Sequence, residues 1–219
     1  MRVLIFGATG MVGQGVLREC LRARDVKQVV TVGRSKIGSI HPKVKEIVSA
    51  DLSNLGSIES QLTGFDACFF CLGVSSSGMS EGDYTRVSYD LTLAAGETLS
   101  RVHPGMTFIY VSGAGTDSTE KGRVMWARVK GRTENALLQL PMQGYMFRPG
   151  FIAPMDGIQS KTRAYRNFYK LLGPLPPLLC RIFPNQILST REMGRAMLAV
   201  ARRGYRKHIL ETRDLRAVL

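Results

Sequence analysis

The chain has 219 residues, 44% of them hydrophobic, with four cysteines and a formal net charge of +13. That is enough apolar material for one α/β domain with a small appendage, and no run reaches the roughly eighteen consecutive apolar residues of a membrane-spanning helix. The charge is uneven: residues 1–120 carry 11 Lys/Arg and 12 Asp/Glu, whereas residues 121–219 carry 19 and 5, so the second half presents either an anion-seeking or a merely solvated basic surface.

Arg2-Val3-Leu4-Ile5-Phe6 is a short β-branched apolar run and reads as a buried strand. It meets Gly7-Ala8-Thr9-Gly10-Met11-Val12-Gly13, then an amphipathic helix with Val12, Val16, Leu17, Cys20 and Leu21 on one face. A strand, a glycine turn and a helix N-terminus form the unit that takes a dinucleotide diphosphate, because glycine admits close backbone approach and the first-turn N–H groups are unpaired. The alternative is a glycine turn that only joins the two elements. Gln28–Gly33 is the second strand. An acid near its end would bond the ribose 2′-hydroxyl of NAD, but the residues there are Gly33-Arg34-Ser35-Lys36. Two cations and a hydroxyl suit a 2′-phosphate, so Arg34 and Ser35 favour NADP(H) over NAD(H). A solvated basic loop would leave the missing acid unexplained.

Val44–Ser49 is the third strand, followed by Asp51-Leu52. Residues 66–73 are a fourth, continuously apolar strand of a parallel sheet, whose end Leu72-Gly73-Val74 is expected beside the cofactor, with a serine loop at 75–78. Cys68 and Cys71 match C-x-x-C but fall on opposite faces of this strand, so the cysteines, Cys20 and Cys180 included, read as core thiols in a reducing cytoplasm. No signal-peptide pattern opens the chain. A helix over Asp83–Val102, a fifth strand Met106–Val111, a helix over Gly122–Leu140 and a sixth strand Gly144–Phe147 complete the alternation. The expected fold is α/β, a doubly wound Rossmann-type parallel sheet over residues 1–155, with residues 156–219 as a small C-terminal helical lobe packed on it. In that lobe, residues 158–172 alternate Arg163, Arg166 and Lys170 with Tyr165, Phe168 and Tyr169. Ser189 or Thr190 caps a helix to Arg203, and His208–Glu211 is a last strand.

Gly7, Gly10 and Gly13 are spaced G-x-x-G-x-x-G, with Val16 where a longer form has a fourth glycine. With Tyr110-Val111-Ser112-Gly113-Ala114-Gly115 and Val129-Lys130-Gly131-Arg132-Thr133-Glu134, this resembles the extended and atypical branches of the short-chain dehydrogenase/reductase superfamily. Within them it is similar to the NmrA-like and Tat-interacting-protein-like NAD(P)H-binding group, often labelled nucleoside-diphosphate-sugar epimerase. The resemblance implies that Gly7, Thr9, Gly10, Met11, Val12 and Gly13 hold the cofactor. It implies further that Asp51 meets the adenine amino group, Leu52 its ring, and Lys130 the nicotinamide ribose. The backbone of Arg148-Pro149-Gly150 would run beside the nicotinamide amide; otherwise it is a plain turn with Arg148 on the surface.

The catalytic pattern departs from the superfamily. Trp126 stands where Y-x-x-x-K has its tyrosine, four residues before Lys130, and Gly113 aligns with the catalytic hydroxyl, leaving Ser112 one residue early. An indole N–H donates a hydrogen bond but shuttles no proton near neutral pH. Tyr84, Tyr89 and Tyr110 are replacements by residue type alone, with Tyr110 expected in the core. His41, His103 and His208 have no partner spacing, and no metal site is expected. Two functions follow. One is an NADP(H)-dependent oxidoreductase or epimerase-like enzyme with an altered acid–base apparatus, in which Lys130 anchors the ribose and Ser112 is the remaining hydroxyl. The other is a catalytically silent NADPH-sensing regulatory protein. A small anionic, partly apolar substrate suits the basic lobe. Its residues would equally suit a homodimer interface or a membrane-surface patch; nucleic acid fits least.

Overall fold

The computed structural model describes residues 1–158 and 186–219. Seven parallel strands lie in the order β3-β2-β1-β4-β5-β6-β9: β1 (Arg2–Phe6), β2 (Gln28–Gly33), β3 (Val44–Val48), β4 (Ala67–Phe70), β5 (Thr107–Val111), β6 (Gln143–Arg148) and β9 (Ile209–Glu211). Strand order reverses between β1 and β4, which pair from Val3↔Ala67 to Phe6↔Phe70. A crevice at the carboxyl ends of such a pair is where doubly wound folds take a ligand. Because the strands are parallel, the segments that follow β1 to β6 all emerge at one sheet edge.

Alternation along the strands divides the core. Val3 and Ile5 of β1 join a cluster on one face, while Leu4 and Phe6 join the other; all four are fully buried. The first face is covered by α1 (Met11–Arg22), α5 (Thr190–Arg203) and α6 (Thr212–Ala217). The second is covered by a 3₁₀ turn at Gly56–Leu62 and by α3 (Leu91–Val102) and α4 (Met125–Leu138). Cys68 and Cys71 fall on opposite faces as their spacing requires, and burial raises both thiols, Cys71 to about 12. Phe6, Phe70 and Phe108 stack across three adjacent strands, with ring centroids 5.3 and 5.8 Å apart.

The described part of the C-terminal segment packs on the main body. β9 pairs with β6 from Met146↔Ile209 to Arg148↔Glu211, and α5 lies along α1, so residues from 186 onward extend the main body. Among the described residues, β7 (Phe151–Ala153) and β8 (Ile187–Ser189) form a separate two-stranded sheet. The helix expected from Asp83 begins earlier, as α2 (Glu81–Thr85), capped by Ser80, and passes through a π-helical turn at Arg86–Asp90 before α3. The aromatic and basic stretch at 163–172, and Cys180, lie outside the described residues.

Contact between α1 and α5 is set by two glycines. A Cβ on Gly15 would stand 2.6 Å from the Thr190 Cβ and 2.7 Å from its carbonyl; one on Gly194 would stand 2.9 Å from Glu19. Ser189 caps α5 reciprocally with Glu192, so the helix start cannot slide to relieve a clash. Gly15→Ala should therefore destabilise the fold by about 1–3 kcal/mol, the usual cost of overpacking, read as a lower urea midpoint with unchanged m-value. An unaltered midpoint would mean that the helices can part freely.

Candidate cofactor and catalytic site

The turn after β1 is one crowded piece of backbone. Gly7 has φ of 79°, and a Cβ there would lie 2.7 Å from the backbone of Leu72 on the loop after β4. The Gly7 carbonyl accepts from the Gly10 N–H at 2.9 Å, and a Cβ on Gly13 would approach it to 2.2 Å. Gly10 differs: its nearest such contact is that carbonyl at 3.3 Å, and its own side is otherwise open. It occupies the N-cap of α1 with no side-chain cap, so the first-turn N–H groups of Met11, Val12 and Gly13 face the sheet edge without a capping side chain. Thr9 is held by its carbonyl, which accepts from Gln14 at 3.1 Å. A cradle lined by backbone N–H groups, closed to any Cβ on its inner side and open at Gly10, fits a diphosphate.

The other segments gather beside it. Arg34, Ser35 and Lys36 are exposed beyond β2. Asp51 is exposed beyond β3; hydrogen bonds from the Ser53 hydroxyl and N–H, at 2.6 and 2.8 Å, hold its carboxyl below the usual range. Leu52 is 3% exposed and belongs to the core cluster of Phe6 and Val32, so its side chain contributes to the floor rather than to a free ring-facing surface. Leu72 is half-buried against Gly7, and Gly73 and Val74 are exposed.

The turn after β6 is held inside the protein. Arg148 is half-buried and its Nε donates to both carboxylate oxygens of Glu134 at 3.1 Å, while its Nη2 bonds Glu134 and the Ser118 hydroxyl. Glu134 is fully buried on α4. Pro149 is buried and its carbonyl accepts from the Ala114 N–H at 2.8 Å; a Cβ on Gly150 would meet the Gln186 carbonyl at 2.5 Å. The Arg148 side chain is therefore not a surface one: it ties β6, α4 and the loop after β5 together.

That loop wraps onto α4. The Asp117 N–H donates to the Ala127 carbonyl at 3.0 Å, and the Asp117 carbonyl presses on Gly131, where a Cβ would come within 1.8 Å. Trp126 and Lys130 lie one turn apart on α4, on the same side. The half-buried indole of Trp126 lies over Gly115, its Cη2 3.5 Å from a Cβ built there. Lys130 donates to the Ser112 carbonyl. Burial holds its ammonium down to about 8 against an ordinary 10.5, partly offset by Glu134. Ser112 is 5% exposed and its hydroxyl donates to the Phe147 carbonyl at 3.1 Å, so the expected catalytic hydroxyl is spent between β5 and β6. Gly113 has φ of 137° and open space where a side chain would project.

None of the tyrosines weighed as substitutes reaches the place of Trp126. Tyr84 and Tyr110 are buried, and burial raises both phenols. Tyr89 sits in the π turn beneath Arg132, 4.2 Å from its guanidinium carbon. His41 accepts from the Lys43 N–H, His103 contacts the Pro104 carbonyl, and His208 contacts the Gly144 carbonyl while stacking on Tyr145. No group of three or more metal-ligating side chains occurs among the described residues. What the sequence reading missed is the Glu134–Arg148–Ser118 cluster; an acid four residues after Lys130 is the signal that could have shown it.

A family model described as NAD(P)H-binding matches residues 7–138. Protein fmp52-2, mitochondrial, of Aspergillus terreus is 24% identical over 202 residues, covering 90% of this chain and 85% of that protein. Protein HTATIP2 of Rattus norvegicus is 27% identical over 154 residues, covering 68% of this chain and 62% of its own length. Among solved structures, the Bordetella bronchiseptica enzyme WbmF in complex with NAD+ and UDP shares the fold, with a TM-score of 0.67 at 15% identity over 96% of this chain and 71% of that one.

Two outcomes test this geometry. Arg148→Met strands the buried Glu134 carboxylate and should cost about 3–5 kcal/mol in chemical denaturation, whereas Arg148→Met with Glu134→Gln should regain part of that loss. Lys130 binds its proton less tightly folded than unfolded, so its contribution to stability should rise with pH between about 8 and 10.5. The difference in unfolding midpoint between the native chain and Lys130→Met over that window reports it, and a flat difference would contradict the burial of the ammonium.

Proposed function

The chain belongs to the NAD(P)H-binding family, and on that premise we propose that it is an NADP(H)-dependent oxidoreductase or epimerase-like enzyme of short-chain dehydrogenase type. The observation that carries the reading is the glycine cradle at the β1/β4 reversal, sterically closed at Gly7 and Gly13 and open at Gly10. When bound, the cofactor would supply hydride chemistry. Residues 7–13 would hold its diphosphate, Asp51 its adenine amino group, and Lys130 its nicotinamide ribose. Arg34 and Ser35 would take the 2′-phosphate, which is the ground for preferring NADP(H). Val74 and Val124, 46% and 51% exposed beside the site, suit a partly apolar substrate.

A second reading is favoured by two particulars, the indole at 126 and the engaged hydroxyl of Ser112. It is a protein that binds NADPH and signals its presence without turnover.

Titration with NADPH and NADH, followed by quenching of Trp126, the single tryptophan, tests the first reading. NADPH should bind more tightly, and Arg34→Ala should weaken NADPH about tenfold while leaving NADH unchanged, as loss of one charge-assisted bond requires. Gly10→Val should keep the fold and abolish binding of both. Binding of neither dinucleotide to the native chain would refute the cofactor assignment.

A further inference from the structure

Trp126 leaves the site without the group that ordinarily moves a proton, and the structure narrows where a replacement can come from. The Ser112 hydroxyl is given to the Phe147 carbonyl. Tyr84 on α2 and Tyr110 on β5 are sealed in the core, and burial raises both. The buried Glu134 carboxylate is bonded on both oxygens by Arg148 from β6. Arg128 pairs with Glu81 at 2.6 Å, Arg132 covers Tyr89, and no guanidinium gives up its proton.

Lys130 remains. Its ammonium is half-buried, the acceptor it uses is a neutral backbone carbonyl, and the carboxylate one turn along is already neutralised by a guanidinium. A cation taken out of water without its own counter-ion holds its proton weakly. The acceptor of Lys130, the Ser112 carbonyl, immediately precedes Gly113, where the space a side chain would fill is open and a reacting oxygen has room.

We propose that Lys130 is the proton carrier of this site, donating to the oxygen of a carbonyl substrate on reduction and accepting from the alcohol on oxidation. The inference rests on the NAD(P)H reading above. In the reductive direction the carbonyl carbon accepts hydride from the reduced nicotinamide. The C=O π pair moves to oxygen, which takes a proton from the Lys130 ammonium. The products are the alcohol, the oxidised cofactor and a neutral amine, which regains its proton from water. An amine that titrates at about 8 is mostly protonated at neutral pH and can still cycle.

Lys130→Arg is the decisive variant, because it keeps charge and donors but cannot release its proton. Competitive acetylation of the native chain across pH 6–11, with Lys130 resolved by peptide mass spectrometry, should place it near 8; an unshifted value near the ordinary 10.5 overturns the proposal. In calorimetry at pH 8, NADPH binding in phosphate and in Tris should show uptake of a fraction of a proton by the native chain and none by Lys130→Arg; equal uptake by both counts against it. With NADPH, a series of aliphatic and aromatic aldehydes and quinones should include members reduced by the native chain and reduced at least a hundredfold more slowly by Lys130→Arg, whose NADPH affinity stays within about fivefold. An unchanged rate in the variant, or no reduction by a native chain with cofactor bound, overturns the assignment. If NADPH fails to bind at all, the cofactor reading falls instead, a result visible in the titration before any rate is measured.

Discussion

One carbonyl organises the nucleotide end of this molecule. The Gly7 oxygen accepts the Gly10 N–H and lies within 2.2 Å of where a Gly13 Cβ would be. The first turn of α1 is therefore folded directly over the end of β1, with no side chain between them. Gly7 meanwhile lies against the backbone of Leu72, so the loops after β1 and β4 close on each other at the reversal of strand order. A larger residue at 7 or 13 would push α1 outward and carry its N–H groups away from the sheet edge. Gly10 is less crowded, since a Cβ there would meet the Gly7 carbonyl at 3.3 Å and nothing else nearby, and its lack of a side chain makes sense if something outside the chain approaches there.

The opposite wall is built on a different principle. α4 has no side-chain cap at its start and is fixed along its length. Gly131 admits the Asp117 carbonyl, Arg128 reaches the Gly122 carbonyl and Glu81, and Glu134 anchors Arg148. Leaving Glu134 charged in the core is tolerable because three donor contacts from one planar guanidinium meet it. The position of Lys130 is thus inherited from a residue one turn further on.

How much of this could be read from the chain depends on the range of the interaction. β1, the glycine turn and α1 are local, and Val3 to Phe6 followed by three spaced glycines specify them without help from elsewhere. α5 was equally legible, since Met193, Ala196, Met197 and Val200 mark its buried face and Ser189 with Glu192 its start. Non-local pairings were not. Nothing in the neighbourhood of Gly15 announces Thr190, 175 residues later, against which it packs. β9 is only three residues long, too short for periodicity to separate a strand of the main sheet from the edge of a lobe. Ser112 reads as a free hydroxyl because nothing in its neighbourhood announces the Phe147 carbonyl, 35 residues away. The role of Arg148 was not legible between a cofactor-side turn and a surface turn, because its partner is a glutamate on another element.

Trp126 and the glycine turn at 113–115 form one packing arrangement rather than two independent features. The Trp126 indole lies against Gly115 of the turn Gly113-Ala114-Gly115, whose glycines both have positive φ. A side chain at 113 would have to adopt φ of 137°, which residues with a Cβ seldom do. Restoring a hydroxyl there therefore demands that the turn be rebuilt, and rebuilding the turn removes the surface on which Trp126 rests. The indole and the glycine turn support each other.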